Sequence, residues 1–120
     1  MKVNLLKEKS IEFAVRIVNL YKYLTEDKKE FIMSKQVLRS GTSIGANIAE
    51  SVRAESEADF IHKLSISRKE GEETLYWLEI LQRTDYLSPD QHASMKQDCE
   101  ELLKLLTSIT ITMRKRIHNS

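Results

Sequence analysis

Three small residues spaced four apart constrain this chain more than any other feature. Gly41, Gly45 and Ala49 stack on one side of a helix, because residues four apart lie on neighbouring turns. Each glycine inside a helix costs about 1 kcal/mol relative to alanine, so two of them require a compensating gain. Close approach of a second helix supplies such a gain. The pattern therefore predicts an inner helix of a bundle, against which the other helices pack.

The opposite side of the same helix argues against a membrane span. Arg39, Ser43, Asn47 and Glu50 lie there, and a polar stripe of this kind does not face lipid. No segment of the chain approaches the roughly 20 apolar residues that cross a bilayer. No apolar run of signal-peptide length follows the start. We therefore expect a cytoplasmic protein with no membrane partner.

Helical spacing of apolar residues extends over most of the 120 residues, which include only three Gly and one Pro. Such scarcity favours long helices over a turn-rich β architecture. The periodicity predicts four helices, at about 5–24, 26–53, 57–84 and 89–117. Because only a few residues separate them, we expect an all-α, up-down-up-down antiparallel four-helix bundle that forms one domain over 1–120.

Capping residues set the predicted helix starts. Thr25 is the expected N-cap of helix 2. Ser56 followed by Asp59 resembles a capping box at helix 3, and Ser88 with Gln91 forms one at helix 4. The stretch from 107 to 112 alternates like a strand. However, the apolar seam of helix 4 runs through it in register, so we predict a helix there.

Two helices carry more apolar surface than one core needs. In helix 1, Ile11, Val15 and Tyr23 lie off the two apolar rows. Residues 75–81 of helix 3 are apolar nearly all the way round, and such a helix is buried on every side. We therefore expect a homo-oligomer whose interface includes Tyr76, Trp77, Ile80 and Leu81. Gly71, at the middle of helix 3, is expected to pack opposite the small-residue ridge of helix 2.

Nothing in the sequence supports catalysis. A di-iron bundle needs two Glu-x-x-His motifs and two more carboxylates, whereas this chain has one Asp59-x-x-His62. Cys99 falls on the apolar seam of helix 4, which indicates a core residue rather than a nucleophile. Phosphate loops, nucleophile elbows and metal-ligand clusters are all missing from the sequence. We expect no enzyme activity, no metal and no cofactor.

Charge is unevenly distributed along the chain. Residues 1–53 carry ten Lys and Arg against six Asp and Glu, whereas residues 54–113 carry six against twelve. An antiparallel bundle places both termini at one end, together with the end of helix 2 and the start of helix 3. Seven basic residues should therefore converge there: Lys2, Lys7, Lys9, Arg53, Arg114, Lys115 and Arg116. This cluster is either a phosphate-binding patch or a solvated tail, and the nearby Glu55, Glu57 and Asp59 oppose it.

Several motifs resemble one known family. Arg39-Ser-Gly-Thr-Ser-Ile-Gly-Ala-Asn-Ile-Ala-Glu50, followed by Ser56-x-x-Asp59-Phe60, Leu64-Ser-Ile66, Glu73-Thr-Leu75 and Tyr86-Leu87, looks like the 23S rRNA intervening-sequence protein family. Members are small bacterial four-helix bundles, some encoded inside insertions in large-subunit rRNA genes. The family also resembles the accessory protein of diversity-generating retroelements, a homopentamer that binds nucleic acid and a reverse transcriptase. The resemblance implies a bundle and suggests a homopentamer.

The resemblance implies biochemical function only weakly, and two functions follow from the sequence. The first is a non-catalytic, oligomeric protein that binds RNA or a nucleoprotein through the basic end. The second is a protein-interaction or scaffolding bundle without nucleic-acid binding. The retroelement accessory protein is markedly basic, whereas this chain has a net charge of +1. That difference leaves the terminal cluster as the main candidate for contact with RNA.

Overall fold

Four long α-helices make up most of residues 2–119, the part of the chain that the computed structural model describes. The helices are α1 (Lys2–Lys22), α2 (Met33–Ser51), α3 (Glu57–Arg83) and α4 (Pro89–Asn119). A π-helical turn, Tyr23–Asp27, extends α1. Strands do not occur between residues 2 and 119. The predicted all-α class is therefore confirmed.

Contacts between helices show that helices adjacent in the bundle run antiparallel. Between α1 and α4, Lys2 bonds to Ser108, while Arg16 bonds to Asp98 further along α1 and further back along α4. Each helix packs against the next, and α4 closes the bundle on α1. The α1–α4 pair is packed less extensively than the other three. The up-down-up-down bundle is confirmed.

The core is a continuous column of aliphatic side chains with hydroxyl groups between the helices. Its fully buried members include Ile17, Ile44, Leu64, Leu78 and Leu102. Between α2 and α3, the Ser67 hydroxyl donates to the Ile44 carbonyl (2.8 Å), and the Thr74 hydroxyl donates to Ser40 (2.9 Å). Bonds of this kind satisfy small polar groups in the core and fix the register of α2 against α3.

Two of the three predicted ridge residues pack against α1. A Cβ atom added to Gly41 would lie 2.6 Å from Cγ1 of Ile17, and one added to Gly45 would lie 3.2 Å from Oγ of Ser10. Ala49 does not pack there; it is exposed. A four-residue step overshoots one helical turn by about 40°, so the ridge drifts from the core at Gly41 to the surface at Ala49.

The predicted position of α2 and the predicted partner of Gly71 are both wrong. α2 packs between α1 and α3, occupies one corner of the bundle, and exposes Ala46 and Glu50 to solvent. Gly71 faces α4 instead of the ridge: a Cβ there would lie 2.6 Å from Leu103 and 3.8 Å from Ile44. The Cys99 thiol, also on α4, lies 3.5 Å from the carbonyl oxygen of Gly71. The small residues therefore serve two different helix contacts.

Helix α2 begins at Met33, seven residues after the predicted start at 26. The chain first completes the π-helical turn, in which the Thr25 hydroxyl donates to the Tyr21 carbonyl instead of capping α2. Lys29 then takes a left-handed conformation (φ 56°). The buried Glu30 carboxylate accepts hydrogen bonds from the backbone amides of Ile32 and Ser34, and also from that of Met33. Glu30 is therefore the real cap.

The other two helix starts agree with the sequence. The Ser56 side chain accepts a bond from the Asp59 amide at the start of α3. At α4, Ser88 and Gln91 exchange two reciprocal bonds, which is the predicted capping box. Residues 107–112 are helical, because the α4 seam buries Leu106, Ile109 and Thr110. Local strand preference is overridden by packing.

Candidate interaction surfaces

The structure brings some of the seven predicted basic residues to one end of the bundle. Lys7 and Arg53 line one groove there, at the start of α1 and just after α2. Arg114 and Lys115 are exposed on the last turns of α4. Within residues 2–119, neither of these two side chains forms an ion pair. These four residues, Lys7, Arg53, Arg114 and Lys115, form what we call the basic end.

The other three predicted basic residues are held by neighbouring side chains. The Arg116 guanidinium pairs with Glu57 at 3.1 Å, so the acidic start of α3 offsets part of the positive charge. Lys2 donates to the Ser108 hydroxyl at 2.8 Å. Lys9 lies roughly 10 Å further along α1 than Lys2, and its ammonium group is 3.7 Å from the Glu101 carboxylate. Lys9 is therefore not part of the cluster, since it faces the flank of α4.

The predicted oligomer surface on α3 is mostly buried within the protein's own fold. Leu81 is fully buried in the core, as is Leu78, so Leu81 cannot contact another subunit. Trp77 and Ile80 are half-buried. Only Tyr76 is broadly exposed, at 58%, and its ring lies edge-on to Trp77. The apolar pattern of 75–81 is thus largely satisfied by the core of one chain.

A polar cluster links α2 to α3 beside Trp77. The Arg39 guanidinium bonds to Glu70 (3.1 Å) and to Glu73, and the Trp77 indole N–H donates to Glu73 (3.1 Å). The bonds from Trp77 and Arg39 hold the pKa of Glu73 below its usual value. The hydrogen bond to Glu73 likewise raises the pKa of Arg39. Every charge in the cluster has a partner, which indicates that its role is structural and that it holds α2 against α3.

A row of exposed apolar residues lies along α1, beside α2. Ile11, Val15 and Val18 follow one another along the outer side of α1, with exposed fractions of 49%, 56% and 37%. They border a shallow groove whose α2 wall consists of Thr42, Gly45 and Ala46. Lys22, at the margin, is the one charged residue that lines it. We call these six residues, with Lys22 at their margin, the α1–α2 face.

The side chains that could carry chemistry are buried or dispersed. Burial, together with nearby carboxylates, raises the pKa of the Cys99 thiol to about 12, so this thiol is protonated at neutral pH. His62 is exposed on α3. Residues 2–119 contain no group of three or more His, Cys, Asp or Glu that could hold a metal ion. No helix in that range is both long enough and apolar enough to cross a membrane.

Comparison with known proteins shows extensive similarity over this fold. The family model described as 23S rRNA-intervening sequence protein matches residues 3–108. A solved structure from Bacteroides thetaiotaomicron is 61% identical in sequence and superposes with a TM-score of 0.91. The match covers 92% of this chain and 98% of that chain. That protein is described as having unknown function and as belonging to the S23 ribosomal protein family. No curated protein matches the chain.

Proposed function

We propose that this chain, which belongs to the 23S rRNA-intervening sequence protein family, is a non-catalytic helical scaffold that assembles with further copies of itself. The observation that carries the proposal is the α1–α2 face. Its three β-branched side chains project from α1 without a charge among them, beside the small residues of α2. Further copies of the same chain are present wherever the protein is made, so we take a second copy as the partner that covers this face.

The energetics of the α1–α2 face favour association. Burial of apolar surface contributes roughly 25 cal/mol per Å², and β-branched side chains lose little rotamer freedom when they are covered. Gly45 and Ala46 leave the groove shallow, so a helix from a neighbour can approach closely. The resemblance to the retroelement accessory protein gives five as the expected number of subunits. The cytoplasm is the compartment in which we place the assembly.

Thiol labelling tests whether the α1–α2 face is covered in solution. Thiol reagents react with the thiolate form of cysteine. Because Cys99 is buried and protonated at neutral pH, it should not be labelled, and the labelling rate reports only on the introduced cysteine. We expect the labelling rate of Val15→Cys to be at least about tenfold lower in concentrated than in dilute protein, because association covers the face. Tyr76→Cys is the control and should label quickly at every concentration. Equal, rapid labelling of both variants throughout would contradict the proposal.

RNA binding at the basic end is a second candidate function. It is favoured by one specific observation: Arg114 and Lys115 are exposed on the last turns of α4, away from carboxylate partners within residues 2–119. Each phosphate that a protein neutralises adds close to one unit to the salt dependence of log affinity. One chain offers few such contacts. An assembly that repeats the basic end would bind RNA more tightly through avidity.

Charge reversal tests the RNA candidate. We expect Arg114→Glu with Lys115→Glu to weaken binding of a single-stranded RNA at low salt by roughly tenfold or more, and to flatten its salt dependence. Arg116→Glu should have a smaller effect, because Glu57 already offsets that charge. Lys104→Glu on the exposed side of α4 is the control for net charge. If wild type and double variant bind equally, or neither binds, the scaffold function stands alone.

A further inference from the structure

Two basic side chains reach one groove from different elements. Lys7 belongs to α1 and Arg53 lies just after α2, and Ala49 and Val52 add apolar lining. Ala49 is the predicted ridge residue that does not pack on α1, and its methyl side chain leaves room beside the two cations. Within residues 2–119, neither Lys7 nor Arg53 forms an ion pair. We call this surface the Lys7–Arg53 groove.

The charge of the Lys7–Arg53 groove selects an anion. Glu50 also lines the groove, but its carboxylate lies 4.0 Å from the Lys63 ammonium group, which offsets its charge. Three cations against one carboxylate leave a net charge of +2 at the groove. A concave surface focuses the field of such charges and raises the local concentration of an anionic ligand.

Other negative groups lie near the groove along the chain. Glu8 and Glu55 are exposed, and neither of them lines the groove. The C-terminal end of a helix such as α2 carries partial negative charge on its free carbonyl groups. Here the Glu50 carbonyl accepts a bond from the Arg53 amide (3.0 Å), and the Ser51 carbonyl accepts one from the next amide (3.1 Å). These bonds reduce that charge, so the groove stays positive.

We infer that the Lys7–Arg53 groove binds the terminal phosphate group of an RNA strand. The inference deepens the RNA candidate and rests on it. A terminal phosphate carries roughly 1.5 to 2 negative charges at pH 7, close to the positive charge of the groove, whereas a phosphate within the strand carries about one. A terminal phosphate also projects from the strand, so it can enter a concave surface. Arginine offers it a pair of N–H donors, and lysine adds a compact positive charge.

RNA strands that differ only at their ends test the inference. We expect a single-stranded RNA with phosphorylated ends to bind roughly tenfold or more tightly than the same RNA with hydroxyl ends, because charge-assisted hydrogen bonds are strong. A longer, hydroxyl-ended RNA of the same total charge is the control for charge alone and should not reproduce this gain. Adenosine monophosphate should bind much more weakly than the phosphorylated RNA, because it cannot also contact Arg114 and Lys115.

Two double variants test whether the preference arises in the groove. Lys7→Gln with Arg53→Gln removes both groove cations and should bind the two RNAs with equal affinity. Arg114→Gln with Lys115→Gln is the matched control, because it removes the same charge from the last turns of α4, outside the groove. It should weaken binding of both RNAs and leave the ratio of their affinities unchanged. All four side chains are exposed, so neither variant removes core packing.

The possible failures are distinguishable. Equal affinity of the wild type for the two RNAs, a gain that the longer RNA reproduces, or a preference that the groove variant keeps would overturn the inference and leave RNA binding at the basic end intact. Adenosine monophosphate that binds as tightly as the phosphorylated RNA would overturn it in favour of a free nucleotide. If neither RNA binds at low salt, the RNA candidate itself fails, and the inference fails with it.

Discussion

Replacing Gly41 with leucine should destabilise the bundle by about 3 kcal/mol, the upper part of the range for an overpacked core. A Cβ at this position would come within 2.9 Å of three side-chain carbons of Ile17. Ile17 is fully buried and β-branched, so it has few rotamers into which it can move. The gain in helix propensity from removing a glycine, about 1 kcal/mol, offsets only part of this cost.

Gly45→Leu is the matched comparison, because it makes the same chemical change one turn further along. Its Cβ would meet Ser10 at 3.2 Å, and the groove beside it is open, so we expect a cost of about 1 kcal/mol. Urea denaturation at one low protein concentration measures both variants without a contribution from assembly. Adding Ile17→Ala should restore part of the stability that Gly41→Leu removes. Equal midpoints for the two leucine variants would contradict the proposed close packing of α1 on α2.

The helices themselves could be predicted because their signals are local. Two capping boxes and the spacing of apolar residues placed α3 and α4 within two residues of their observed bounds. The start of α2 could not be predicted in this way. Its cap is the carboxylate of Glu30, a residue type that seldom serves as an N-cap, and the π-helical turn before it has no sequence signature.

The interaction surfaces were harder to predict because they depend on which side of a helix faces the core. Ile11 and Val15 lay off the apolar rows of α1, and this was the signal for the α1–α2 face. Residues 75–81 gave a stronger but misleading signal, since Leu78 and Leu81 are covered by the same chain. The pairing between Arg116 and Glu57, by contrast, agrees with the expected opposition between the acidic start of α3 and the basic cluster. That opposition could be predicted because it follows from the antiparallel topology, which brings the two segments to one end.

Val15→Glu should dissociate the assembly, whereas Tyr76→Glu should leave it intact. Both positions are more than half exposed in one chain, at 56% and 58%, and both lie within helices. Neither change therefore removes core packing, and glutamate is a better helix former than valine or tyrosine. On the α1–α2 face the new carboxylate would be desolvated without a partner, which costs several kcal/mol. On α3 it would remain in water.

Light scattering of the wild type and these two variants at micromolar concentration measures directly whether the chain assembles through the α1–α2 face. For the wild type and Tyr76→Glu, self-association through the α1–α2 face predicts a mass that is a multiple of the 14.0 kDa chain. For Val15→Glu it predicts 14.0 kDa, with an unchanged helical circular dichroism spectrum. A wild type of 14.0 kDa, or an assembly lost with Tyr76→Glu and kept with Val15→Glu, would contradict it.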